Sequence, residues 1–279
     1  MSSKRIFIAA FFFLSLTYSV AFSDTQTFNA EFFHPATGRN SYLMLHDADT
    51  LHKYQFSAGL ISSFAYHPLE RISGGTRLQG IIDNLASVDV TAAFGIIEQL
   101  QFGVDIPFIL YNSFRDPRTN PAPANLTTYY FDMSDIRLDV KARVFETAAR
   151  KFALAVVPFL TLPSGNSSHY VGDSGLTGGG SVVADGNLYN RLKLTLNVGA
   201  IAGKKVNLQN IVYQYRLILG GGAYVNIVKD FDAFFEGNAT AAFNKFFSSR
   251  AVNPGEVLIG VKYEVSKTGV SIYGAGGTC

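Results

Sequence analysis

Polar and apolar residues alternate with a period of two along most of the chain after residue 53. The clearest example is the stretch 135–145, DIRLDVKARVF. Because successive side chains of a β-strand point to opposite faces, this stretch predicts a strand with one charged face and one apolar face. In a water-soluble sheet the apolar face would pack on a core, whereas in a membrane barrel it would contact lipid and the charges would line the lumen. The stretch by itself leaves both interpretations open.

The same alternation predicts eleven strands. They cover residues 53–66, 85–94, 100–110, 135–145, 152–162, 178–185, 191–203, 213–228, 231–243, 256–265 and 270–276. The connections are long after each odd-numbered strand and short after each even-numbered one. Short turns on one side and long loops on the other are typical of membrane barrels. The sequence therefore predicts an all-β protein, a transmembrane antiparallel up-and-down β-barrel.

The odd number of strands conflicts with this architecture, because bacterial barrels of this type close with an even number. We therefore expect about 12 strands, of which eleven are visible, and a chain that is truncated after Cys279. A strand at 42–46 is the alternative, since it would restore an even count and place the N-terminus outside.

The first residues predict export. Lys4 and Arg5 precede the apolar run 6–22, and small residues at positions 21 and 23 suit cleavage before Asp24. The run is short for a membrane anchor helix, the alternative interpretation. We thus predict a signal peptide (1–23), a lead-in segment on the periplasmic side or inside the lumen (24–52) and a C-terminally incomplete barrel (53–279), located in the outer membrane of a Gram-negative bacterium.

Charge, cysteine content and the length of the apolar runs argue against several classes of protein. The formal net charge of +2 would be cancelled by removing Lys4 and Arg5 with the signal peptide, so nothing favours a nucleic-acid partner. The single cysteine, Cys279, excludes an intrachain disulfide. After the signal peptide no run approaches the roughly 18 apolar residues of a membrane helix, so any span must be made of strands.

The charged faces of the predicted strands supply the candidate site residues. Those predicted to face the lumen are Asp89, Asp105, Asp135, Arg137, Asp139, Lys141, Arg143, Lys193, Arg216, Glu236, Glu256 and Lys262. They are of mixed sign, so they could line a channel for solutes or neutralise one another in a filled lumen, and the sequence does not decide between the two. A barrel of this size lies between filled eight-stranded barrels and open porins.

Other candidate chemistry is weaker. His169 lies near Ser167, Ser168 and Asp173, the residue types of a hydrolase, but in a glycine-rich stretch that predicts a solvated loop. Acidic residues at 132, 135 and 139 could hold a divalent ion, although ordinary charges at a strand end explain them as well. We predict no catalytic residue, no metal and no cofactor.

Aromatic residues cluster near the predicted strand ends, as in interface girdles. They are Tyr54, Tyr66, Phe108, Tyr111, Tyr129, Tyr130, Phe131, Phe145, Phe152, Tyr213 and Phe243.

Several stretches resemble the N-terminal barrel of OmpA-family outer-membrane proteins. They are FNAEFFHPATGRNSYLMLHDADTLHKYQFSAGLISSFAYHPLE, IIDNLASVDVTAAFGIIEQLQFGVDIPFILYNS, DIRLDVKARVF, LPSGNSSHYVGDSG and GVSIYGAGG, which lie within residues 28–276. The family's acidic calcium-binding repeats and C-terminal peptidoglycan-binding domain have no counterpart in this chain.

The resemblance implies an outer-membrane anchor or structural protein with passive passage of small solutes as an added property. Its implied partners are outer-membrane lipid, lipopolysaccharide and the barrel-assembly machinery, with peptidoglycan only if the missing domain exists. A dedicated porin or transporter is the alternative function. An outer-membrane hydrolase and a soluble secreted β-sandwich are the remaining ones.

Overall fold

The computed structural model describes residues 29–73, 76–114, 127–188, 191–208, 211–243, 254–265 and 268–278. The predicted signal peptide, the first five residues of the lead-in (24–28) and Cys279 lie outside these ranges. The strands are β1 (Phe56–Ser73), β2 (Thr76–Ile97), β3 (Leu100–Phe114), β4 (Thr127–Tyr129), β5 (Asp132–Met133), β6 (Arg137–Glu146), β7 (Phe152–Thr161), β8 (Thr177–Leu188), β9 (Leu192–Leu208), β10 (Ile211–Val228), β11 (Phe231–Ala242), β12 (Gly255–Val265) and β13 (Val270–Thr278).

Eleven of the described strands form one antiparallel path in the order β1-β2-β3-β6-β7-β8-β9-β10-β11-β12-β13, and the short β4 and β5 pair with β3. Consecutive strands of the path are neighbours throughout, which is the up-and-down topology that the sequence predicts. The sheet curls into a barrel wall. Within the described ranges β1 and β13 are not paired with each other, and the twelfth strand stays a prediction. Residues 42–46 do not form a strand, so that alternative is wrong.

The two faces of the sheet are inverted relative to a soluble protein. On the outer face of β1, Phe56, Leu60 and Phe64 are 65%, 71% and 67% exposed. On the inner face Asp89 and Lys141 are fully buried. Contiguous apolar surface of this kind would be unstable in water but is what a lipid-facing wall requires. The soluble β-sandwich is therefore excluded, because its apolar face would lie inside.

Two of the predicted long connections are strand. Residues 67–73 and 76–84 extend β1 and β2, which stay paired there, and residues 204–208 and 211–212 extend β9 and β10 in the same way. The periodicity is interrupted there because the registers shift, between Tyr66 and Leu69 in β1 and between Tyr213 and Tyr215 in β10. Such β-bulges move a side chain to the other face and hide the alternation. We call this end of the barrel the long-loop rim and the end with the turns near 98–99 and 229–230 the short-turn rim.

The loop 163–176 is packed rather than solvated. Tyr170 and Val171 are fully buried against Ile82, Ile109 and Phe114. The Asp135 carboxylate accepts hydrogen bonds from the Gly165 and Asp173 N–H groups at 2.8 and 2.6 Å. Because β6 begins only at Arg137, Asp135 lies at the long-loop rim and fastens this loop instead of continuing the strand.

Most of the described girdle aromatics are exposed near strand ends, including Tyr54, Tyr66, Tyr130 and Phe131 at 69% to 74%. Tyr129 differs, since its ring stacks on His169 at a centroid distance of 3.5 Å. The Tyr213 side chain is not among the described ones.

Candidate functional site in the barrel lumen

The lead-in segment, described from residue 29 to residue 52, runs through the lumen from one rim to the other. It starts at the long-loop rim, where the Ala30 N–H donates to the Tyr170 carbonyl at 3.0 Å. It ends at the short-turn rim, where His52 Nδ1 lies 2.8 Å from the Glu98 carboxylate. The hydrogen bonds from His52 and from the Lys53 N–H lower the pKa of Glu98, which lies in the turn. Of the two predicted positions of the lead-in, residues 29–52 occupy the one inside the lumen.

A buried ion-pair node fastens the middle of the segment. The Asp47 carboxylate lies 3.4 Å from Lys141 Nζ on β6 and 3.0 Å from Lys193 Nζ on β9. Lys193 also contacts Asp49 at 2.8 Å and Asp185 at 3.3 Å. Each ammonium group has at least one carboxylate partner, so neither charge is left unpaired in the low-dielectric lumen, where an unpaired charge would be costly.

Backbone groups of the segment find acceptors on the barrel wall. The Leu43, Met44 and Leu45 N–H groups donate to the Glu236 carboxylate at 3.0 to 3.3 Å, and the Ala48 N–H donates to Asp185 at 2.8 Å. A segment without regular secondary structure cannot pair these groups internally, and burying them unpaired would be unfavourable. The inward carboxylates of β8 and β11 thus replace a strand partner.

We expect Glu236→Ala to destabilise the folded protein by about 1 to 3 kcal/mol, because three buried N–H groups lose their acceptor. Hydrogen exchange of the amides at 43–45 should become faster, as followed by mass spectrometry on the detergent-solubilised protein. The control is Glu256→Ala on the adjacent strand, because among the described residues Glu256 accepts no hydrogen bond from the lead-in. Equal exchange rates in both variants would contradict the role given to Glu236.

Glycines of β10 make room for the segment. A Cβ at Gly220 would lie 2.5 Å from Leu45 Cδ2, and one at Gly222 would lie 2.6 Å from Tyr42 Cε1. The glycine run 220–222 predicts a strand that is curved or closely approached by another group, and in the structure the lead-in approaches it. Tyr42, Leu43 and Leu45 pack there with Phe234 in an apolar cluster.

Four of the predicted lumen residues contact the lead-in directly. They are Asp139, Lys141, Lys193 and Glu236. Asp139 accepts from the Thr37 hydroxyl with both carboxylate oxygens, at 2.9 and 2.8 Å. On the charged face of the fourth predicted strand, Asp139 and Lys141 thus hold the chain's own N-terminal region.

The remaining predicted residues are distributed around the wall. Asp89 and Asp105 are fully buried on β2 and β3, and their carboxylate oxygens have no hydrogen-bond partner within the described part of the chain. Arg143 lies at the short-turn rim, where it donates to the Glu98 carbonyl at 3.0 Å. Lys262 pairs with Glu264 at 2.9 Å and lies over the rings of Tyr224 and Tyr273, while Glu256 is half-buried. Arg137 and Arg216 line a cavity that is described below.

Sequence reasoning missed the partners that the lead-in itself contributes. Thr37, Asn40 and Asp47 all bind charged residues of the wall. The segment has no period, so nothing in the pattern assigns its polar residues a face. Asp185 and Gln101 were also missed, although their alternation with apolar neighbours in β8 and β3 was a usable signal.

The residues of the two weaker candidate sites, the hydrolase site and the divalent-ion site, contact different partners in the structure. His169 Nδ1 lies 2.6 Å from Asp132, but Ser168 donates to Asn166 rather than to His169. Asp132, Asp135 and Asp139 each bind a different group, and no set of three or more potential metal ligands occurs in the described ranges. No helix among the described residues is long and apolar enough to cross a membrane.

A cavity of about 170 Å³ remains beside the lead-in, toward the long-loop rim. The lead-in forms one side of it through residues such as His34 and Met44, and the wall forms the rest through β6 to β11 and Leu69 of β1. Its polar lining includes Arg137 and Arg216.

The comparisons with known proteins agree with the barrel fold. No family model and no curated protein matches the chain. Among solved structures, the COG4313 outer membrane channel from Pseudomonas putida F1 superposes with a TM-score of 0.56 at 11% identity, covering 81% of this chain and 88% of that one. The outer membrane protease OmpT from Escherichia coli covers 80% and 89% at 10% identity, but its TM-score of 0.27 supports no conclusion. At these identities the likeness concerns the fold alone: this chain has the fold of an outer-membrane β-barrel, and its resemblance to the OmpA family stays a prediction.

Proposed function

We propose that the protein is an outer-membrane β-barrel of a Gram-negative bacterium, a structural anchor whose lumen its own lead-in closes. Passage through it is then restricted to small solutes that fit beside the segment. The observation that carries the proposal is the Asp47 node, which fixes the lead-in to two strands of the wall, β6 and β9, through Lys141 and Lys193. An OmpA-type role in the envelope is its finer form and is supported by the sequence motifs.

The proposed partners are outer-membrane lipid, lipopolysaccharide and the barrel-assembly machinery. Lipid is supported by the exposed apolar outer face, with residues such as Leu60 and Ile259 at 71% and 68%. The proposal includes no catalytic activity, no cofactor and no contact with peptidoglycan by this chain.

A dedicated channel is the second candidate function. It is favoured by the cavity beside the lead-in and by the likeness of fold to an outer membrane channel. The two functions differ in whether the barrel conducts ions while the lead-in is in place.

Planar-bilayer recording tests the proposal. We expect the wild type to give at most small conductance steps, and the double variant Asp47→Ala/Glu236→Ala to give markedly larger ones, because the lead-in loses its two main attachments. Heat-modifiable gel migration verifies that each protein is folded, and Asp49→Asn, which changes a half-exposed partner of Lys193, is the control. Steady wild-type steps as large as those of the double variant would refute closure and favour the dedicated channel.

A further inference from the structure

The lumen cavity has the size and lining of a site for a small molecule. Its volume of about 170 Å³ gives room for on the order of ten water-sized groups. Apolar side chains, among them Leu69, Ile201 and Ile218, line the cavity together with charged and amide groups. A cavity of this mixed character suits a ligand with an apolar body and a polar end.

The Arg137 guanidinium is presented to this cavity with its donors unused. It lies over the Phe159 ring at 3.9 Å, and among the described residues it makes no hydrogen bond and no ion pair. Asp105 and Asp139 flank it and attract it electrostatically, but Asp139 directs both oxygens to Thr37. A guanidinium carries five N–H donors in a planar fork, a geometry that matches a carboxylate.

Two further polar side chains, Arg216 and His34, line the same cavity as Arg137. Each of the two arginines is near enough to act electrostatically on the His34 imidazole. The buried His34 Nδ1 has no hydrogen-bond partner in the described ranges. The side chains come from the lead-in, β6 and β10, and they converge only because the lead-in occupies the lumen.

Of the two acidic residues that line the cavity, Asp173 has its carboxylate oxygens engaged in hydrogen bonds, whereas those of Glu31 have no hydrogen-bond partner among the described residues. The Asp173 carboxylate accepts from the Asn29 N–H and from the Thr177 hydroxyl, both at 2.9 Å. Glu31 also lines the cavity, and its charge acts on Asp89 and Asp105 across the β2–β3 side of the lumen. The acidic residues of β2 and β3 thus adjoin the guanidinium groups, since Asp105 lies directly opposite Arg137 in the β3–β6 pair.

From this arrangement we infer that the cavity is a binding site for a small organic carboxylate with an apolar body, held by a bidentate contact to Arg137. The apolar body lies against the aliphatic residues, and Arg216 and His34 complete the anion end. The inference deepens the proposed function, since it names the class of solute that the partly closed lumen accepts. Anionic ligands without an apolar body are expected to bind more weakly, because the aliphatic part of the lining would stay unfilled.

The test uses 4-fluorobenzoate and its uncharged analogue 4-fluorobenzyl alcohol with the folded full chain in detergent, monitored by ¹⁹F NMR. We expect saturable binding of the acid, and binding of the alcohol weaker by about tenfold, because it cannot form charge-assisted hydrogen bonds. Arg137→Gln should weaken binding of the acid by about tenfold, and Arg137→Lys should restore only part of it. Arg143→Gln, on the same strand and outside the cavity, should leave binding unchanged.

Three outcomes would overturn the inference: no saturable binding of 4-fluorobenzoate to the folded wild type, equal binding of acid and alcohol, or an undiminished affinity in Arg137→Gln. The first two need no variant, so they hold even if a substitution prevents folding. The assay measures binding in detergent and not conductance. It can therefore fail while the lumen is closed as proposed, and closure can fail while the carboxylate still binds.

Discussion

Replacing Asp47 by alanine is expected to destabilise the folded barrel by about 3 kcal/mol, which is the cost of breaking a buried ion pair. Asp47 is 2% exposed and lies between Lys141, which is fully buried, and Lys193, which is 9% exposed at its side chain. Without Asp47 the Lys141 ammonium keeps only neutral oxygens, from Asn40 and the Asp49 carbonyl. The expected loss is at the lower end of the range because Lys193 retains Asp49 and Asp185.

Denaturant unfolding of the refolded protein, followed by heat-modifiable migration and far-UV circular dichroism, would measure this loss. The matched control is Asp49→Asn, which removes a carboxylate 2.8 Å from the same Lys193 but at a side chain that is 48% exposed. For that change we expect less than about 1 kcal/mol, since water screens an exposed pair. If both variants lose the same amount, the buried node does not hold the lead-in.

The second large effect is expected on membrane insertion, from a substitution on the outer face of the barrel. Leu138 lies on the outward side of β6, between Val104 of β3 and Leu160 of β7. Leu138→Arg should hinder insertion and cost roughly 2 to 4 kcal/mol if the position is near the bilayer midplane. The folded fraction after refolding into lipid vesicles, read from the heat-modifiable band, measures it.

Arg137→Leu is the comparison variant, because it changes the adjacent residue on the opposite face. It should insert as efficiently as the wild type and alter only properties of the lumen. Efficient insertion of Leu138→Arg, or failure of Arg137→Leu alone, would mean that the two faces of β6 are assigned the wrong way round.

Much of the wall could be read from the sequence because a strand has a short, local period. In β6, residues 137 to 144 alternate without interruption, and their charged members lie on the inner face. The prediction failed where a bulge breaks the period, as at His67 and Pro68, because two residues then oppose one and the faces exchange. It also failed at Asp135, where a loop that packs on the rim takes the carboxylate that the pattern assigned to the strand.

The sequence by itself determined the class of the protein: an up-and-down sheet with one apolar and one charged face. For the glycine run in β10 it predicted a curved or closely approached strand, and only the structure shows that the lead-in approaches it. Whether the inward charges face water, each other or another segment depended on the tertiary structure. Glu236 meets three backbone N–H groups, Lys141 and Lys193 share Asp47, and Arg137 meets a cavity. The physical reason is that the lead-in has no period of its own. Its place in the lumen follows from partners that lie between 50 and 193 residues away, which no local pattern encodes.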